Sequence, residues 1–204
     1  SLAKGTTTIK KPLLGQDQLN AIRCLKQLGV NIEQNDNTIT VTGREGTFAP
    51  VEENTKLDVG ESGVGANFLT SACCLSNTPV TLTGRGRLLR RPIDELVEAL
   101  RTLGCRIDYL GKHGFPPVKI QGGGIKGGSA GMRGHRTSQY FSSLAISSAY
   151  AEQPVTINCI GDMTEKPYFD ITLKMMADFG VTAQNKDNST ITVTTDKNYL
   201  AKES

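Results

Sequence analysis

The chain has 204 residues, 37% hydrophobic and 21% charged, with a formal net charge of +3. That length can bury a real core, and so small a charge, with no Lys/Arg block interleaved with aromatics, does not point to a nucleic-acid partner. No run is apolar enough to span a bilayer, Ser1-Leu2-Ala3-Lys4-Gly5 is no signal-peptide core, and five cysteines lack C-x-x-C spacing; the expectation is a cytoplasmic protein with reduced thiols, without a zinc site or membrane partner.

In chain order, Thr6-Thr7-Thr8-Ile9 reads as the first strand. An amphipathic helix follows with Ile22, Leu25 and Leu28 on one face, stopped at Gly29, and Thr38 to Thr42 alternates as a return strand. A second helix starts at Gly60-Glu61-Ser62-Gly63 and runs to Leu75, with no charge from Asn67 onward. Pro79-Val80-Thr81-Leu82 is a strand, and Arg91-Pro92 opens a helix carrying Val97, Leu100 and Leu103 before Gly104. Pro117 to Gln121 returns as a strand. The uncharged run Tyr140 to Tyr150 is a further helix, followed by the strand at Pro154 to Ile157. Lys166-Pro167 then opens a helix with Leu173, Met176 and Phe179, closed by Gly180, and Thr190 to Thr194 is the last strand.

These elements recur. Leu28-Gly29-Val30, Leu103-Gly104-Cys105 and Phe179-Gly180-Val181 are one punctuation mark at steps of 75 and 76 residues. The helices before these glycines carry charge and read as outer, whereas the two uncharged helices read as inner, buried on most sides. Pro92 and Pro167 fit a first helical turn, where a missing N–H costs nothing. The expected fold class is therefore α/β: three pseudo-symmetric βαβαββ-type repeats around buried inner helices, at about 1–55, 56–130 and 131–204 of a single domain. By the same period the first inner helix would begin about 13 residues before Ser1, so the chain reads as part of something longer.

The stretch Arg133-Gly134-His135-Arg136-Thr137-Ser138-Gln139 ends on hydroxyls at a helix start. Such a start is either an ordinary cap or a place for an anion. Ser138 lies 76 residues after Ser62, which assigns both hydroxyls to one slot. His135 has no partner in sequence and reads as a surface turn residue.

Four motifs carry a family resemblance: Leu57-Asp58-Val59-Gly60-Glu61-Ser62-Gly63, Thr83 to Ile93, Thr137-Ser138-Gln139-Tyr140, and Glu165 to Leu173. Together they resemble the EPSP synthases, the 3-phosphoshikimate 1-carboxyvinyltransferases, over nearly the whole chain. The resemblance implies an inside-out α/β barrel domain, with a second domain and its acid/base carboxylate elsewhere. It also implies transfer of enolpyruvyl from phosphoenolpyruvate to the 5-hydroxyl of shikimate 3-phosphate, without cofactor or metal. Alternatives within the fold are a non-catalytic binding domain or an enolpyruvyl transferase with another acceptor, of the UDP-N-acetylglucosamine type.

Carried over residue by residue, the resemblance gives Arg91 to phosphoenolpyruvate, and Thr137 and Ser138 to the shikimate phosphate. It sets Gln139 between the substrates and the backbone of Gly63 beside phosphoenolpyruvate. Tyr168 is either a ring beside the shikimate or an ordinary rim tyrosine. Four positions depart from the family pattern: Glu61 for asparagine, Val64 for threonine, Asn67 for arginine and Glu165 for serine. They remove cation and donor groups and add negative charge.

Overall fold

The computed structural model of the chain describes residues 1–196 and 198–202. Among these residues the strands form three sheets. In the first, β1 (Thr6–Lys10), β3 (Thr38–Thr42) and β2 (Asn31–Asn35) lie antiparallel in that order, with α1 (Gln16–Gln27) between β1 and β2. In the second, β4 (Lys56–Asp58) runs parallel to β5 (Val80–Thr83) through α2 (Gly63–Cys73). The chain then passes a 3-10 turn at Gly86–Arg90 and α3 (Asp94–Thr102), and the hairpin β6 (Ile107–Tyr109) and β7 (Val118–Ile120) pairs onto β5. The third sheet repeats that order. There β8 (Gly128–Arg133) is parallel to β9 (Val155–Ile160) through α4 (Ser138–Ser148), followed by α5 (Lys166–Asp178), β10 (Ala183–Lys186) and β11 (Thr190–Val193).

The glycine stops have one structural form. Gly29, Gly104 and Gly180 have φ of 82°, 91° and 92°, which only glycine adopts at little cost. In each case the glycine N–H and the N–H after it turn back to helix carbonyls: Gly29 to Lys26 and Val30 to Leu25, Gly104 to Arg101 and Cys105 to Leu100, Gly180 to Ala177 and Val181 to Met176. This closure uses carbonyls that the helix end leaves unpaired. The residue after each glycine, Val30, Cys105 or Val181, is buried, so the stop also anchors the helix end to the core.

The two uncharged helices are the buried ones. α2 and α4 pack against each other, and α4 also packs on α5, where Phe141 and Phe169 meet edge-on at 6.3 Å. Apolar residues alone do not make this contact. Ser143 Oγ donates to the Asn67 carbonyl at 2.6 Å and lies 2.6 Å from Ser71 Oγ, while Ser142 and Thr172 hydroxyls are 2.8 Å apart. Small hydroxyl side chains let the helix axes approach, and their partners offset the cost of burying polar atoms.

Several boundaries differ from the sequence reading. α2 stops at Cys73 rather than Leu75. Pro167 does occupy the first turn of α5, but Pro92 precedes the α3 N-cap Ile93 and lies outside the helix. The cap of α4 is Thr137, so the residue equivalent to Ser62 is Thr137 and Ser138 is already helical. No helix among the described residues is long and apolar enough to cross a membrane, and no group of three or more His, Cys, Asp or Glu there could hold a metal ion.

All five cysteines are free; Cys24, Cys73, Cys74 and Cys105 are buried and Cys159 is half-buried. Burial pushes the Cys24 thiol up to about 11 and the Cys73 thiol higher still, because an apolar surrounding disfavours the thiolate. In a native-state titration with a thiol-disulfide reagent at pH 8, Cys159 reacts first and the other four react at the rate of unfolding. Five equally fast thiols would contradict this packing.

Candidate functional site

The N-termini of α2 and α4 open on one polar pocket of about 280 Å³. Each end is built by local chemistry. Ser62 caps α2 by accepting the Gly65 N–H at 3.0 Å. The preceding turn is held by Asp58 Oδ1, which accepts the Gly60 N–H at 2.8 Å, and by Asn20 of α1, whose amide donates to the Val59 carbonyl at 3.1 Å. Thr137 caps α4 from extended backbone (φ −172°, ψ 141°) by accepting the Gln139 N–H at 3.3 Å. The tips of the two helices are then clasped: Asn67 Nδ2 donates to Gln139 Oε1 at 2.8 Å.

The third wall is the segment before α3. Its backbone is pinned at Arg91 N–H to the Leu88 carbonyl (2.9 Å) and Ile93 N–H to the Gly114 carbonyl (2.8 Å). Between them the Tyr140 hydroxyl donates to the Pro92 carbonyl at 2.6 Å. The Arg91 guanidinium lies over Gly63, where an added Cβ would collide with it. No carboxylate lies within 4.0 Å of Arg91 among the described residues. The pocket thus holds one uncommitted guanidinium beside two helix N-termini, whose free N–H groups and dipoles favour an anion.

The other charges are already engaged or opposed. Arg136 also lines the pocket, but its Nε is 3.2 Å from Glu95 Oε1. Glu95 is largely buried and also takes the Arg133 N–H at 2.9 Å. Glu165 sits at the pocket with φ 56° and makes no cap bond to its own helix; instead Thr137 Oγ1 donates to its Oε2 at 3.4 Å.

The structure brings together Gly63, Arg91, Thr137, Gln139, Asn67 and Glu165 of the expected residues. The Ser138 side chain is wholly buried behind this wall, and its hydroxyl has no hydrogen-bond partner among the described residues. Tyr168 is 66% exposed on α5 and does not line the pocket. Glu61 turns to the Gly86–Arg90 turn, with Arg87 Nε at 3.7 Å. Val64 lines an apolar hollow between α1, α2 and α4 instead. Sequence reasoning missed Tyr140 and Ile93 as lining residues and Arg136 as a spent cation. The apolar start of the α4 run was the available signal for Tyr140; the Arg136 pairing had none, because Glu95 is 41 residues away in the chain. In a larger hollow of about 460 Å³ beside α1, the cations Arg23 and Lys26 share the lining with Glu52.

Two uncharged buried helices open their N-termini, with Arg91 beside them, onto one polar pocket of an α/β domain. The family model for EPSP synthase (3-phosphoshikimate 1-carboxyvinyltransferase) matches residues 1–203. The chain belongs to that family. Among curated relatives named 3-phosphoshikimate 1-carboxyvinyltransferase, that of Actinobacillus pleuropneumoniae serotype 5b is 39% identical over 208 residues, covering 100% of this chain and 48% of its own length. That of Haemophilus influenzae Rd is 39% identical over 206 residues, covering 98% and 48%. A solved EPSP synthase from Acinetobacter baumannii superposes with TM-score 0.83 at 23% identity, over 100% of this chain and 44% of that one, which shows the fold. The chain spans about half the length of the curated relatives it matches.

Two outcomes follow from this geometry. Gly63→Ala displaces the Arg91 guanidinium, a flexible group, so thermal stability stays within about 0.5 kcal/mol while anion affinity in calorimetry falls about tenfold. Unchanged affinity would show that the Arg91 position is immaterial. Burial, with Asp94 nearby, pushes the Tyr140 hydroxyl up to about 12, and burial does the same to Tyr109. Because the folded state holds these protons more tightly than the unfolded chain, that stability is full below pH ~10 and is lost as pH rises toward about 12. Tyr140→Phe costs about 1 kcal/mol at neutral pH through the lost bond and flattens the alkaline decline in urea unfolding.

Proposed function

We propose that this chain is the substrate-binding half of an enzyme that transfers the enolpyruvyl group of phosphoenolpyruvate to the 5-hydroxyl of shikimate 3-phosphate. In that reaction the acceptor oxygen bonds to the enolpyruvyl carbon, the hydroxyl proton is lost and inorganic phosphate leaves. The observation that carries the reading is the unpaired Arg91 beside the α2 and α4 N-termini, in a chain of this family. Arg91 then grips phosphoenolpyruvate through its planar fork, with the Gly63 backbone close by. Thr137 and Ser138 at the α4 N-terminus receive the acceptor phosphate, Gln139 stands between the two substrates, and Tyr168 is the ring beside the acceptor. No organic cofactor or metal enters this scheme. The acid/base groups come from a second domain, so the chain alone is inactive, and the setting is cytoplasmic biosynthesis.

The same proposal extends to the architecture. The identical strand order of the second and third sheets and the three matching glycine closures support pseudo-threefold repeats at about 1–55, 56–130 and 131–204. Two apolar hollows of about 320 and 370 Å³ share Ser1, Leu2, Phe68 and Ile146 in their linings. A third inner helix, supplied from outside this stretch, fills them and completes an inside-out barrel.

A second reading, a binding domain of the same fold without catalysis, draws on Glu165 in the pocket and on the engagement of Arg136 by Glu95. An assay of the full-length gene product separates the two. With both substrates saturating, phosphate is released, and Arg91→Ala lowers kcat/KM by about a hundredfold through the lost charge-assisted bonds. A folded protein that releases no phosphate would contradict catalysis and favour the binding domain.

A further inference from the structure

The Thr137 hydroxyl has a single proton, and that proton is directed at Glu165 Oε2, 3.4 Å away. One of its two lone pairs accepts the Gln139 N–H. An anionic oxygen arriving at this cap needs that same proton, so it competes with the carboxylate and also faces its charge. Glu165 has no compensating cation: no Lys, Arg or His nitrogen lies within 4.0 Å of it among the described residues, and Arg136 is held by Glu95. Its backbone stands in the left-handed region at φ 56°, and the side chain leaves the end of α5 uncapped in order to reach α4.

We infer that Glu165 is a specificity-determining residue that makes binding of a phosphate monoester at the Thr137 cap proton-coupled: the phosphate enters together with one proton, which the Glu165–phosphate pair shares. This rests on the proposed acceptor site and adds a condition to it. With the proton bound, a carboxyl O–H donates to a phosphate oxygen, the repulsion is gone and the Thr137 hydroxyl turns to the ligand. Without the proton, two like charges contend for one donor. Arg91 on the segment before α3, Arg136 on the β8–α4 loop and the titratable Tyr140 of α4 line the same pocket, Glu95 on α3 pairs with Arg136, and His135 precedes Arg136 in that loop. Asp162, Lys166 and Asp170 belong to the segment of Glu165 itself. Among the described residues Arg91 is the one pocket-lining cation without a carboxylate partner, and it is assigned to the other substrate.

The test is calorimetric titration of the full-length gene product with shikimate 3-phosphate between pH 6 and pH 8, in buffers of different ionisation heat. Uptake of one whole proton weakens binding tenfold per pH unit at most. Solvent around the exposed Glu165 reduces this, so the expected weakening across the range is about tenfold, with a fraction of a proton taken up. The ligand phosphate ionises in the same range, and the variants cancel that contribution. Glu165→Ser and the near-isosteric Glu165→Gln bind about tenfold more tightly than wild type at pH 8 and take up correspondingly fewer protons. Equal affinity and equal proton uptake in all three proteins would overturn the inference while leaving the acceptor site standing. Absence of binding by all three at every pH would overturn the acceptor site, and the inference with it.

Discussion

Two helices without a charged residue, α2 and α4, have nowhere to go but the interior, and their mutual burial arranges everything else. A helix that is apolar or weakly polar all round is stable only when covered. Here the cover is partly the other helix, at the serine-rich contact where Ser143 meets the Asn67 carbonyl and Ser71. Packing two helices side by side with their N-termini at the same end brings free amide groups together, and the Asn67–Gln139 bond fixes their spacing. The pocket is a consequence of core packing, which is why its backbone donors are held in place before any ligand arrives.

Charge is used sparingly around this frame. Glu95 neutralises Arg136 and holds the β8–α4 loop through the Arg133 N–H, so one carboxylate sets both the electrostatics and the shape of that wall. Tyr140 does the same without charge, joining α4 to the Pro92 carbonyl and thereby setting the entry to α3 on which Arg91 stands. What remains for a ligand is a small number of directed donors: one guanidinium, two helix ends and a cap hydroxyl. A carboxylate among these donors works against a dianion, and Glu165 is that carboxylate. Its presence ties the occupancy of the cap to the protonation of whatever lies there.

Much of the layout was legible in the chain because its signals are local. Gly29, Gly104 and Gly180 mark the same left-handed closure, and that requirement rests on one residue and its neighbours. The absence of charge in α2 and α4 likewise follows from composition alone and correctly marked them as buried. The family likeness brought Gly63, Arg91, Thr137 and Gln139 to notice, and they do share a pocket. The failures involve register and distance. Thr137 and Ser138 are adjacent hydroxyls, and which of them caps is decided by the extended backbone at Thr137, a tertiary outcome. Pro92 looks like a first-turn proline, yet the Tyr140 bond and the Gly114 carbonyl hold the segment extended until Ile93. Asn20, which steadies the turn before α2 from another helix 39 residues away, leaves no mark in the sequence.

The measurement that bears most directly on this account is a crystal structure of the full-length gene product with phosphoenolpyruvate and shikimate 3-phosphate. Phosphate oxygens are expected within hydrogen-bond distance of Thr137 Oγ1 and the α4 N-terminus, with the Arg91 guanidinium against the second anion. Both ligands ordered elsewhere, with the pocket between α2 and α4 holding water alone, would contradict it.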